Sequence, residues 1–70
     1  MESKFLEFRT IDVKPKTFVY GVFSKTQGTR LGIIKWYAPW RQYCFFPQEN
    51  TLYSKGCLKD ISNFIEELER

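Results

Sequence analysis

Two periods run through the chain. Thr17-Phe18-Val19-Tyr20-Gly21-Val22-Phe23-Ser24 and Arg30-Leu31-Gly32-Ile33-Ile34-Lys35-Trp36-Tyr37 are dense in β-branched and aromatic residues, the composition of strands. Between them Lys25-Thr26-Gln27-Gly28-Thr29 reads as a polar loop in which Gly28 is free to take positive φ. Ala38-Pro39 breaks the second strand, because proline has no N–H to give a ladder. Trp40-Arg41-Gln42-Tyr43-Cys44-Phe45-Phe46 returns as its hairpin partner, and Pro47 stops it. The segment Lys4–Val13 fits neither period cleanly, although Arg9–Val13 reads as extended and Pro15 argues against a helix running through it. Thr51-Leu52-Tyr53 predicts one more short edge strand.

Beyond that point the period changes. Cys57, Leu58, Ile61, Phe64, Ile65 and Leu68 recur at spacings of three and four, an apolar stripe on a helix. Ser54 is its candidate N-cap, and Lys59, Asp60, Asn63, Glu66 and Glu67 decorate the wet side. Glu66, Glu67 and Glu69 lie at the unfavourable end of the helix dipole, which predicts fraying there. Strands first and one helix last predict an α+β domain over residues 1–70. Its expected form is an antiparallel sheet of three to four strands with one C-terminal helix packed on one face.

The hairpin carries a geometric surplus. An even-membered loop, either Ala38-Pro39 or Ala38 through Arg41, puts Ile34, Trp36, Tyr43 and Phe45 on one face of the sheet. Ile33, Lys35, Tyr37, Cys44 and Phe46 then share the other. A three-residue loop would break that pairing, because a one-residue slip turns every side chain over. Both faces come out apolar and aromatic, yet one helix covers one face. The other requires the N-terminal segment, a second copy of the chain or a ligand.

Charge sharpens the picture. Residues 1–47 carry eight basic against three acidic side chains, a balance of +5, and residues 48–70 carry three against five, a balance of −2. Between Val13 and Gln48 there is no acidic residue and there are six basic ones, a one-signed stretch that attracts anions. Against this the bland reading is a solvated lysine-bearing face. Lys35, Trp36, Tyr37, Trp40, Arg41 and Tyr43, with Arg30, are the candidate ligand-binding residues. Rings stack on bases for roughly 1–3 kcal/mol each, and cations neutralise phosphate. Arg41 suits either a cation–π contact or a clamp on phosphate. Two readings stand beside this one: the same aromatics form a protein interface, or they are all core in a chain of 70 residues with 19% aromatic content. Trp36, mid-strand, is expected in the core, and Trp40, beside the turn, as an exposed platform.

Other chemistries are excluded by composition. The chain has no histidine, hence neither the usual general base at neutral pH nor the commonest metal ligand. Gly21, Gly28, Gly32 and Gly56 are scattered singly, not gathered in a phosphate loop, and Ser24, Ser54 and Cys57 have no histidine to activate them, which leaves only an unusual Lys or Tyr base. A non-catalytic binding module without cofactor or metal is expected. Cys44 and Cys57 are expected as reduced thiols packed as small apolar groups, a bridge between them being the alternative. No apolar run approaches the ~20 residues of a membrane span, and the acidic N-terminus is unlike a signal peptide, so a cytoplasmic protein is expected.

The run Gly32–Pro47, with its Trp36-Tyr37-x-x-Trp40-Arg41-x-Tyr43-x-Phe45-Phe46-Pro47 core, precedes Thr51, Ser54, Cys57-Leu58-Lys59-Asp60-Ile61 and Phe64-Ile65. Together these resemble a family of small proteins often encoded by bacteriophages and prophages. The resemblance covers residues 32–65 and implies a context, not an activity: a small cytoplasmic accessory protein acting on nucleic acid or on host defence. The function expected is capture of a phosphate-bearing ligand, nucleic acid or a nucleotide signal, on the hairpin around residues 35–43. The alternative is a homo-oligomeric or host-protein-binding module using the same aromatics.

Overall fold

In the computed structural model, which describes residues 4–70, the chain forms four strands, one 3₁₀ turn and one α-helix. They are β1 (Leu6–Val13), β2 (Phe18–Ser24), β3 (Arg30–Tyr37), the turn Ala38–Trp40, β4 (Gln42–Pro47) and α1 (Lys55–Leu68). Strand order in the sheet is β1-β2-β3-β4, an antiparallel meander in which every neighbour in sequence is a neighbour in space. The expected α+β architecture is therefore the observed one, with the ambiguous N-terminal segment supplying the fourth strand.

Helix α1 forms where the stripe of three-and-four spacing lies. Ser54 caps it in extended conformation, its hydroxyl accepting the Cys57 N–H at 3.1 Å. Its apolar face settles on the sheet so that Ile61 joins Leu6, Val22 and Ile34 in a fully buried cluster. Phe64 stacks on Phe8 (centroids 4.2 Å apart, planes 5° apart) and meets Tyr20 edge-on at 5.1 Å. Glycine has a packing role beneath these rings: a Cβ on Gly32 would lie 2.6 Å from the Phe46 carbonyl oxygen and 2.7 Å from the Phe45 ring.

Two bulges set which side chains face the helix. Pairing slips between Thr10 and Asp12 against β2, and between Val22 and Phe23 against β3. The first inserts Ile11 as an extra residue, so Leu6, Phe8 and Thr10 share the helix side with Val13, which strict alternation would turn away from it. It is also why the period of this segment is unreadable in the sequence. The second leaves Leu31 unpaired to pack against the core.

Three expectations need correction. Thr51–Tyr53 is not a strand. The Thr51 hydroxyl lies between the Gln48 carbonyl (2.7 Å) and the Tyr53 hydroxyl (2.9 Å), and that phenol donates to the Leu31 carbonyl, so side chains rather than a ladder tie the segment down. Strand β4 begins at Gln42 rather than Trp40, because Pro39 opens a 3₁₀ turn that holds Trp40 and leaves Arg41 left-handed at φ 54°. Trp36 is not core but 39% exposed. The cysteines lie on opposite sides of the sheet, Cys57 packed toward the core and Cys44 paired with Lys35 on the far face; both are free.

With so small a core, single positions matter. Ile34→Ala should cost about 2–5 kcal/mol, and Gly32→Ala about 1–3 kcal/mol because its new methyl meets backbone. Leu58→Ala, at a side chain 52% exposed, should stay within about 0.5 kcal/mol. Urea unfolding followed by far-UV circular dichroism measures all three.

Candidate nucleic-acid interface

The β3–β4 connection is the four-residue loop 38–41, since Tyr37 pairs with Gln42. Strand alternation does the rest. Ile34–Phe45 and Trp36–Tyr43 pair on the helix side, while Ile33–Phe46 and Lys35–Cys44 pair on the open side. The seven candidate residues therefore do not form one surface. Lys35 and Tyr37 face away from the helix, and Trp40 turns back to meet Tyr37 edge-on at 5.1 Å. Arg30, paired with Phe23, lies at the other end of that open face. Trp36 and Tyr43, 5.5 Å apart and edge-on, belong to the helix side, where Arg41 lines a hollow with them together with Leu68 and Glu69. The physical reason is the two-residue period of the pleat: neighbours in sequence cannot share a face.

The open face holds rings with cations laid over them. Lys35 places its ammonium 4.9 Å from the centre of the Phe46 ring, and Arg9 its guanidinium 4.6 Å from that of Phe23. Tyr37 lies edge-on to Phe46 at 6.1 Å, and Trp40 remains 67% exposed. Around Tyr37, Trp40, Cys44 and Phe46 the surface forms a shallow apolar hollow of about 290 Å³. Gly21 lets the Phe23 ring settle over the strand, since a Cβ there would lie 2.6 Å from that ring.

The carboxylates of this face are already engaged. Glu7 receives both arms of Arg9, at 2.7 and 3.1 Å, and Asp12 pairs with Lys14 at 3.2 Å. Hydrogen bonding to Arg9 holds the Glu7 carboxyl below its ordinary 4.5, and that to Lys14 holds Asp12 below 3.8. Lys35 and Arg30 have no carboxylate partner among the described residues, which leaves the face cationic. Arg9, Phe23 and Phe46 were not singled out from the sequence. Phe23 and Phe46 were legible through alternation from Gly21 and Cys44, whereas the bulge in β1 obscures Arg9.

A larger hollow, about 680 Å³, lies at the opposite end of the molecule between Phe5, Arg30, Leu31, Leu52 and the loop hydroxyls. Those hydroxyls serve the loops themselves: Ser24 bonds Thr26 and the Gln27 N–H, and Ser54 caps α1. Among the described residues no cluster of histidine, cysteine or carboxylate side chains is placed to hold a metal, and no helix is long and apolar enough to cross a membrane. Compared with protein-family models, with curated proteins and with solved structures, the chain matches none.

The Glu7–Arg9 pair makes a direct check of this electrostatic layout. Because the folded carboxyl is depressed, its contribution to stability is present above the unfolded pKa and lost as pH falls through the folded one. In a carboxyl-detected NMR titration, Glu7 should titrate below 4.5 in the native protein and move back up in Arg9→Ala.

Proposed function

We propose that this protein is a non-catalytic nucleic-acid-binding module that uses the open face of its sheet. The observation that carries the reading is the pairing of half-buried aromatic rings with cations on the face that α1 leaves uncovered, beside the exposed Trp40, while the carboxylates of that face are held in ion pairs. Bases stack on Trp40, Tyr37 and Phe46, and phosphates meet Lys35 at one end of the face and Arg30 at the other. The rings are spread over the sheet rather than gathered in a cavity. A hollow of about 290 Å³, open to solvent, does not enclose a nucleotide, which favours a polymer lying across the face over a captured mononucleotide. The resemblance of residues 32–65 to small phage and prophage proteins supports a cytoplasmic accessory role acting on nucleic acid or on host defence. Self-association through this same face is disfavoured, because Lys35 and Arg30 would meet their own copies.

The two tryptophans provide the test, one on each side of the sheet. On titration with an unlabelled oligonucleotide, Trp36→Phe, which keeps Trp40, should show quenched fluorescence, and Trp40→Phe should not. By fluorescence anisotropy, Trp40→Ala should weaken binding by about 1–3 kcal/mol. Lys35→Ala should lower the slope of log K against log salt by about one, and Glu7→Gln, which releases Arg9, should raise it by about one. Binding unchanged by both Trp40→Ala and Lys35→Ala, with native circular dichroism, overturns the reading.

A further inference from the structure

The helix side of the sheet is not covered to its end. Its side chains form successive rows across the strands: Phe8, Val22 and Gly32; then Thr10, Tyr20, Ile34 and Phe45; then, one alternation beyond the last β2–β3 pair, a third row made of the pairs Val13–Phe18 and Trp36–Tyr43. Helix α1 is 14 residues long, about 21 Å at 1.5 Å per residue, and its last turn reaches the third row only at Tyr43. There Leu68 and Glu69 line a hollow with Trp36, and the Glu69 carboxylate accepts the Tyr43 N–H at 3.0 Å. The rest of the row is an apolar shelf: Val13 is 64% exposed, Phe18 45% and Trp36 39%. Val13 reaches it only because of the bulge in β1.

We infer that this shelf is the contact between two copies of the chain, and that the protein is a two-fold dimer through it. The charges at its rim select that occupant. On one side stand Lys14 and Lys16 of the β1–β2 turn, Lys14 being paired with Asp12, and on the other the helix end with Glu66, Glu67 and Glu69, Glu66 being paired with Arg70, so a turn of net positive charge stands opposite a helix end of net negative charge. A polyanion laid on the shelf would meet the Glu69 carboxylate beside Trp36 and a helix end of net negative charge. A surface that carries both signs on opposite sides of an apolar centre is complementary to itself. In a two-fold contact each copy's Lys16 turn meets the other's Glu66 helix end, as isologous interfaces require. The shelf is small, so the dimer is a weak one. Because it lies on the far side of the sheet from Lys35, Tyr37 and Trp40, dimerisation leaves both open faces free. Whether or not the open face binds nucleic acid does not bear on it.

Sedimentation velocity of the nucleic-acid-free protein from 5 μM to about 1 mM tests the inference. The expected result is a concentration-dependent monomer–dimer equilibrium, with the dissociation constant at least about tenfold higher in Phe18→Asp and in Val13→Glu. Both positions are well exposed, so either variant that keeps native circular dichroism suffices. Lys16→Glu should weaken the dimer, and adding Glu66→Lys to it should restore association, which loss of structure would not produce. A monomer at every concentration overturns the inference. So does a dimer indifferent to both Phe18→Asp and Val13→Glu, and so does association that appears only when an oligonucleotide is added.

Discussion

The rest of the structure depends on the contact of Ile61 with Leu6, Val22 and Ile34, the seam where α1 meets the middle of the sheet. A meander has no crossover to bury its second face, so the side on which the helix lands decides which rings become interior and which remain surface. A chain of this length buries only roughly 60% of the surface it would expose unfolded, and one helix is all the cover it has. Leu6, Val22 and Ile34 are 2%, 0% and 0% exposed because they share the side the helix took. Phe23, Phe46 and Tyr37 stay half-buried because they do not.

The uncovered side manages its rings with charge. Laying the Lys35 ammonium on Phe46 and the Arg9 guanidinium on Phe23 keeps long apolar stems against the rings and the charged ends in water. The same arrangement makes the face attractive to an anion that also carries flat apolar groups, which is the description of nucleic acid. Tethering Arg9 to Glu7 sets how much of that charge is available, so the face has a moderate, not maximal, positive field.

The edges of the sheet show a second constraint. Strand β4 is an edge strand, and its outward N–H groups would invite pairing with another chain. Glu69, from the far end of the helix, accepts the outward N–H of Tyr43, and Pro47 at the strand's other end has no N–H to offer. The helix end that the sequence marks as dipole-unfavourable is thus held by its side chain: an acidic residue poorly placed for the macrodipole is well placed for a strand's orphan donor.

The sequence by itself determined the types of β2, β3, β4 and α1, with β3 to the residue and α1 with its Ser54 cap, and the two-sided character of the hairpin. These follow from local rules: β-branched and aromatic density, proline without an N–H, a stripe of three-and-four spacing, and strict alternation once a loop has an even number of residues. Only the tertiary structure decided the rest. Thr51–Tyr53 has strand composition but is tied down by side chains instead of a ladder, the Tyr53 phenol anchoring it to the Leu31 carbonyl. The bulge between Thr10 and Asp12 is invisible locally, since it reflects the pairing of β1 with β2, and it determines that Val13 joins the helix side. The candidate site was legible as residue types but not as a surface: Lys35, Tyr37 and Trp40 went to one side, and Trp36, Arg41 and Tyr43 to the other. That division depends on which face the helix occupies and where its last turn ends. Both are set by packing between residues far apart in the chain, and no window of sequence contains it.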